Sequence, residues 1–242
     1  MPVLYDERTV RFITNGWGSD ANLRGIVETE PEESFSVEGG LKFYEFSLRV
    51  DRLSETQDHI FIMARKEQIE GLEVGDWVEV VGTIKSYDLP IAESDDERKS
   101  PFREFNVTDK EGNPITVVRN QWFLKIYISA KKITKTDERT FENLCHISGT
   151  IVSKEELRIT ADGKKVLRFK VLILNRNAKS YIYSVAWNEV ATMISNMSIG
   201  DEVIFLGRMQ SWDNPKSRQY PRRLEYSANY LLNRLRADIY GL

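Results

Sequence analysis

Cysteine occurs once in this 242-residue chain, at Cys145, and histidine twice, at His59 and His146. A lone cysteine excludes an internal disulfide and fits a reducing cytoplasm. Neither histidine has a cysteine or carboxylate neighbour at zinc-ligand spacing, so no metal site is expected. No G-x-x-x-x-G-K-[ST] loop and no nucleophile-elbow serine occurs, so neither a cofactor nor catalysis is expected. No stretch approaches the roughly 20 apolar residues that cross a bilayer. The opening MPVLYDERTV mixes acidic and basic residues where an export signal needs an apolar core. The acidic run Glu93-Ser94-Asp95-Asp96-Glu97 reads as a solvated loop rather than a metal cage.

What the chain does have is unevenly spread. The formal net charge is −3, but residues 1–140 hold 19 Lys and Arg against 27 Asp and Glu, whereas residues 141–242 hold 15 against 10. The basic C-terminal part is where a polyanion could be held.

An internal repeat organises the sequence. Gly75-Asp76-Trp77-Val78 through Gly82 to Ser86-Tyr87 and Gly200-Asp201-Glu202-Val203 through Gly207 to Ser211-Trp212 both read G-D-x-V-x-x-x-G-x-x-x-S-aromatic, at an offset of 125. Gly25-Ile26-Val27 matches Gly149-Thr150-Ile151-Val152, and Phe46 to Val50 matches Phe169 to Ile173. The spacings from first Gly to Phe are 21 and 20 residues. Two copies of one domain follow.

Each copy reads mostly as strands. Phe169, Val171 and Ile173 alternate with Arg168, Lys170 and Leu172, the period-2 pattern of a strand with unlike faces. Tyr181–Ala186 is a second such run. Residues 191–197, entered through Asn188, read as a short helix, with Lys66–Glu70 as its weaker counterpart. The order strand, strand, strand, helix, strand, strand, with glycine at sharp bends, is the plan of the OB-fold. The fold class expected is therefore all-β, as two tandem five-stranded OB barrels. Their expected limits are 21–134 and 141–242, after an N-terminal extension at 1–20. The stretch from Asp88 to Gln121 is expected to be an acidic insertion in the first domain, forming a loop or hairpin.

The run Val185-Ala186-Trp187, a helix, Ile199-Gly200-Asp201 and Gly207-Arg208-Met209-Gln210-Ser211, with Tyr226-Ser227-Ala228-Asn229-Tyr230 as a last strand, resembles the bacterial single-stranded DNA-binding protein family. The two-copy arrangement resembles double-OB versions from Gram-positive bacteria and their mobile elements. The resemblance implies largely sequence-independent binding of single-stranded DNA in replication, repair or recombination, without catalysis and in the cytoplasm. It also implies a homodimer presenting four OB-folds, and contacts with replication or recombination proteins. The end of the sequence, Arg236 to Leu242, lacks the Gly-rich linker and acidic tip by which many members recruit such proteins. Two alternatives stay open: an interaction module of a primosome or conjugation apparatus, and a single-stranded RNA binder.

Holding an unpaired strand takes aromatic faces for bases and cations for phosphates. Strand parity turns Arg168 and Lys170 outward if Phe169 and Val171 point in. Tyr181, Tyr183 and Trp187 then share one face, opposite to Ile182 and Ala186, and the family alignment puts Tyr181 and Trp187 at base-stacking positions. Arg208, Gln210 and Trp212 share another face. Arg176 adds a cation, and Lys216, Arg218, Arg222 and Arg223 follow around Tyr220 in the place where family members wrap DNA. The first repeat has His59 and Arg65 where the second has Tyr181 and Trp187, and Glu45 and Ser47 where it has Arg168 and Lys170. Phe61, Tyr87, Lys85, Arg49 and Arg52 remain as lesser candidates there. The first domain is accordingly expected to bind DNA weakly and to serve assembly or partner recognition.

Overall fold

The computed structural model of the chain describes the backbone of residues 18–37, 41–90, 102–108, 114–120, 122–175, 178–213 and 222–232. In chain order the first half runs β1 (Ser19–Val27), β2 (Glu32–Val37), β3 (Leu41–Asp51), β4 (Gln57–Arg65), α1 (Lys66–Ile69), β5 (Trp77–Pro90), β6 (Phe102–Thr108), β7 (Pro114–Asn120) and β8 (Trp122–Lys135). The second half runs β9 (Glu142–Lys154), β10 (Arg158–Ile159), β11 (Lys165–Asn175), β12 (Ala178–Trp187), α2 (Asn188–Ser195), β13 (Glu202–Asp213) and β14 (Arg222–Leu232).

Alternation of apolar and polar residues makes these strands, and burial follows it. Phe46, Leu48 and Val50 on β3, like Phe169, Val171 and Ile173 on β11, point inward and are buried. In the first half β1 pairs with β3, β3 with β4, β4 in parallel with β8, β8 with β5 and β5 with β1, which closes a barrel. The second half repeats that circuit through β9, β11, β12, β14 and β13. Each barrel has its helix between its third and fourth strands in chain order, α1 between β4 and β5 and α2 between β12 and β13. The chain is thus all-β, with two tandem OB-folds.

Sequence patterning did not provide for β2, which extends the edge of the first barrel beside β3, or for β10, its short analogue beside β11. Both are hairpin arms that contribute nothing to barrel closure, so their residues carry no strong apolar stripe. Strands β6 and β7 pair only with each other, as a hairpin within the segment 88–121. Helix α2 begins at Asn188, earlier than the apolar run suggests, with Trp187 as its extended N-cap residue. Strand β1 begins at Ser19, within the segment read as an N-terminal extension.

The repeated glycines have a common mechanical reason. At Gly82 and at Gly207 the pairing register shifts by one residue. A Cβ on Gly207 would meet the Ser227 carbonyl oxygen at 2.0 Å, and one on Gly82 would meet that of Ser129 at 2.7 Å. Only glycine lets the last strand approach so closely at the bend.

The barrels are joined through their first strands. β1 pairs antiparallel with β9, Ser19 opposite Ile147, Ala21 opposite Cys145 and Leu23 opposite Asn143. The offset that matches Gly25 to Gly149 also matches Ala21 to Cys145, so a pseudo-twofold axis passes through that pair. The two halves of one chain therefore meet as two copies of a symmetric dimer would. The connection between β8 and β9 is tied down by Arg24, buried on β1, which donates to Thr140 and Glu79 and pairs with Glu138 and Glu142.

Cys145 lies wholly buried on this axis, and burial pushes its thiol up to about 12. The native protein is expected to resist iodoacetamide at pH 8 and to react at once when unfolded in urea, because the thiolate is the nucleophile. Rapid alkylation of the native protein would place Cys145 at the surface instead.

Candidate nucleic-acid interface

Strand parity divides the second barrel's side chains between core and solvent. Ile182 and Ala186 on β12 are fully buried, while Tyr181, Tyr183 and Trp187 on the same strand are 37%, 44% and 38% exposed. On the neighbouring β11, Lys170 stands opposite Tyr183 and Leu172 opposite Tyr181. The Lys170 ammonium lies 4.7 Å from the centre of the Tyr183 ring and 6.0 Å from that of Tyr181. It makes no ion pair among the described residues, so the aromatic faces hold it by cation–π attraction.

Trp212, 41% exposed at the end of β13, faces the same groove from across the barrel. The guanidinium of Arg223, opposite it on β14, lies 5.6 Å from its ring. Arg168 is exposed on the rim, 3.8 Å from Glu225. Glu225 in turn accepts a hydrogen bond from Gln210 at 2.7 Å, so one carboxylate anchors the groove floor. The groove thus gathers Lys154, Arg168, Lys170 and Arg223 against Glu155 and Glu225. Lys154 also supports the helix, since its ammonium donates to the carbonyl oxygens of Ser195, at 2.7 Å, and of Met197, and so closes the C-terminal end of α2.

Other residues marked in the sequence lie elsewhere. Arg222, next to Arg223, points to the opposite side, 3.8 Å from Glu28 of the first barrel and 3.7 Å from Asp213. Adjacent residues of a strand face opposite ways, so a count of cations along 216–223 joined two that the fold separates. Arg208 lies against Arg52 and Asp58; burial first, and then the Arg52 charge, lower its pKa below the ordinary arginine value. Its Nε has no hydrogen-bond partner among the described residues. Lys216, Arg218, Tyr220 and Arg176 lie outside the described residues.

In the first barrel the lesser candidates are largely engaged. Arg52 grips Asp58 through two hydrogen bonds of 2.7 and 2.5 Å. Arg49 pairs with Asp51 at 3.3 Å, and His59 meets Glu28 at 2.8 Å. Phe61 lies beneath the Lys125 ammonium at 4.9 Å, and Tyr87 meets Tyr127 edge-on at 5.3 Å. Lys85 is half-buried on β5, two residues before Tyr87.

The serine of the repeated motif carries a role that pattern reading missed. Ser86 accepts the backbone N–H of Tyr181 at 2.9 Å, and Ser211 accepts that of His59 at 2.9 Å. The repeat equates Tyr181 with His59, so each barrel uses its serine to hold the third strand of the other. Its recurrence at one motif position was the available signal, but the partners lie 95 and 152 residues away in sequence.

No protein-family model matches this sequence, and no curated protein does. Among solved structures, the wild-type single-stranded DNA binding protein from Thermus aquaticus is similar to this chain, with a TM-score of 0.63, 18% identity, and coverage of 90% of this chain and 94% of that one. A deletion mutant of the same Thermus aquaticus protein gives a TM-score of 0.61 at 19% identity, covering 89% and 93%. At that identity the likeness establishes a shared fold over nearly the whole of both chains.

Proposed function

We propose that this chain binds single-stranded DNA with little sequence preference and without catalysis, in replication, repair or recombination. The observation that carries the reading is the second-barrel groove. Tyr183 and Trp212 line it beside Lys170 and Arg223, each of which lies over an aromatic face, and Tyr181 and Trp187 are exposed on the same strand as Tyr183. Bases stack on any exposed ring because every base has a π-face, and cations that follow the backbone need read no sequence. The similar Thermus aquaticus protein is described as a single-stranded DNA binder, which supports the reading. Among the described residues no group of His, Cys, Asp and Glu could hold a metal, and no helix is long and apolar enough to cross a membrane. The binding residues proposed are Trp187, Tyr181, Tyr183, Trp212, Arg168, Lys170 and Arg223. Two chains are proposed to associate as a homodimer that presents four barrels, and light scattering of the purified protein measures that association directly.

A fluorescence titration with oligo-dT at two salt concentrations tests the reading. Stacking should quench tryptophan emission, and log K should fall linearly with log salt, by about 0.7 per phosphate contact on a single strand. Trp187→Ala should weaken binding by about 1–3 kcal/mol, the worth of one stack, while its melting curve stays in place. Absence of binding at low salt would end the proposal, and a Trp187→Ala protein that fails to fold would make that ring part of the core. A matched oligo-U competitor separates DNA from RNA.

A further inference from the structure

The pseudo-twofold axis gives each barrel an equivalent groove, and the ladders fix which residues correspond. Ser47 stands opposite Phe61 on β3–β4 as Lys170 stands opposite Tyr183 on β11–β12. Tyr87 stands opposite Lys125 on β5–β8 as Trp212 stands opposite Arg223 on β13–β14. The first groove has therefore kept two aromatic positions and one cation. What it has lost is the sign of its charge. Glu45 occupies the place of Arg168, Glu30 that of Lys154, and Ser47 that of Lys170.

The carboxylates of the first groove are Glu28, Glu30, Glu32, Glu33, Glu45 and Asp213, set against Lys125 and Arg222. Neither cation is at liberty. Lys125 donates to both oxygens of Glu45 at 2.6 Å, with both side chains largely buried, and Arg222 faces Glu28 and Asp213. A phosphate entering this groove would meet carboxylates where the second groove offers cations, and like charges repel strongly in a partly desolvated cleft.

Resting on the reading of the chain as a single-stranded DNA binder, we propose that the strand occupies the second groove alone, and that Glu30 and Glu45 are the specificity-determining residues that bar it from the first. One chain then covers about as many nucleotides as a single barrel does, although it contains two. The first barrel acts on DNA only through the backbone of Tyr181, which Ser86 holds.

Two measurements on the full chain test this. The first is ultraviolet cross-linking to oligo-dT carrying 5-iodouracil, followed by peptide mapping. Adducts are expected on Tyr183, Trp212 or Trp187 and none on Phe61 or Tyr87; adducts on Phe61 or Tyr87 in similar yield overturn the proposal. The second is the graft Glu30→Lys with Glu45→Arg, which gives the first groove cations at the positions that Lys154 and Arg168 hold in the second. Circular dichroism checks its fold. The folded graft should cover about twice as many nucleotides per chain, and its salt slope should steepen by about 2.1, or 0.7 for each phosphate contact of the two grafted cations and of the Lys125 that Glu45 no longer holds. A folded graft with unchanged site size and slope also overturns the proposal; if the graft does not fold, the adduct map decides. The reading beneath fails separately, through a wild-type chain that binds no oligo-dT at low salt, and takes this inference with it.

Discussion

Replacing Asp58 by alanine is expected to lower the unfolding free energy by about 3 kcal/mol. Asp58 is fully buried at the junction of the barrels. Its carboxylate accepts two hydrogen bonds from Arg52 and one from the backbone N–H of Ser211, at 2.8 Å, on the other barrel. Removing one partner of a buried pair leaves the other charge uncompensated, which typically costs about 3–5 kcal/mol. The lower end applies because the Arg52 side chain is 19% exposed and can reach water. For a chain of this size such a loss lowers the melting temperature by about 6–12 °C. A drop of only a degree or two would mean that Arg52 re-solvates freely and that the pair is no strut. Because Asp58 also holds Ser211, the variant should loosen the seam between β4 and β13, and amides there should gain hydrogen exchange before those of the barrel cores.

The second large effect concerns affinity. Tyr183→Ala combined with Trp212→Ala removes a ring from each side of the second groove. Each base stack contributes about 1–3 kcal/mol, so the pair should cost about 2–6 kcal/mol in oligo-dT binding, or a factor between about 30 and about 25,000. Stability should change little, because both rings are exposed and neither belongs to the buried core. The salt slope should also flatten, since Lys170 and Arg223 lose the ring faces that orient them. Binding within twofold of wild type would show that the strand runs elsewhere on the chain, and Phe61→Ala with Tyr87→Ala is the matched control in the first groove.

The same geometry shows how far residue patterns reach. Alternation around Phe169 and around Ile182 was legible because a strand with one buried face must repeat every two residues. The rule that separates Tyr183 from Ile182 also separates Arg223 from Arg222, but charge clustering along the chain obscured that second application. The arms β2 and β10 escaped notice because they pair at an edge and need bury little. The inverted charge at Glu45 was visible as a substitution. Its consequence was not, because Lys125, which Glu45 captures, lies 80 residues away.

By itself the sequence determined two copies of an OB plan, the glycines that bend each barrel, and which faces of β11 and β12 turn outward. These are local consequences of a period of two and of missing Cβ atoms. Only the tertiary structure decided that β1 and β9 join the copies about a pseudo-twofold axis, that Ser86 and Ser211 reach across it, and that one groove is basic while its counterpart is acidic. Those features depend on backbone hydrogen bonds and charges between residues distant along the chain, and no local pattern records such distances.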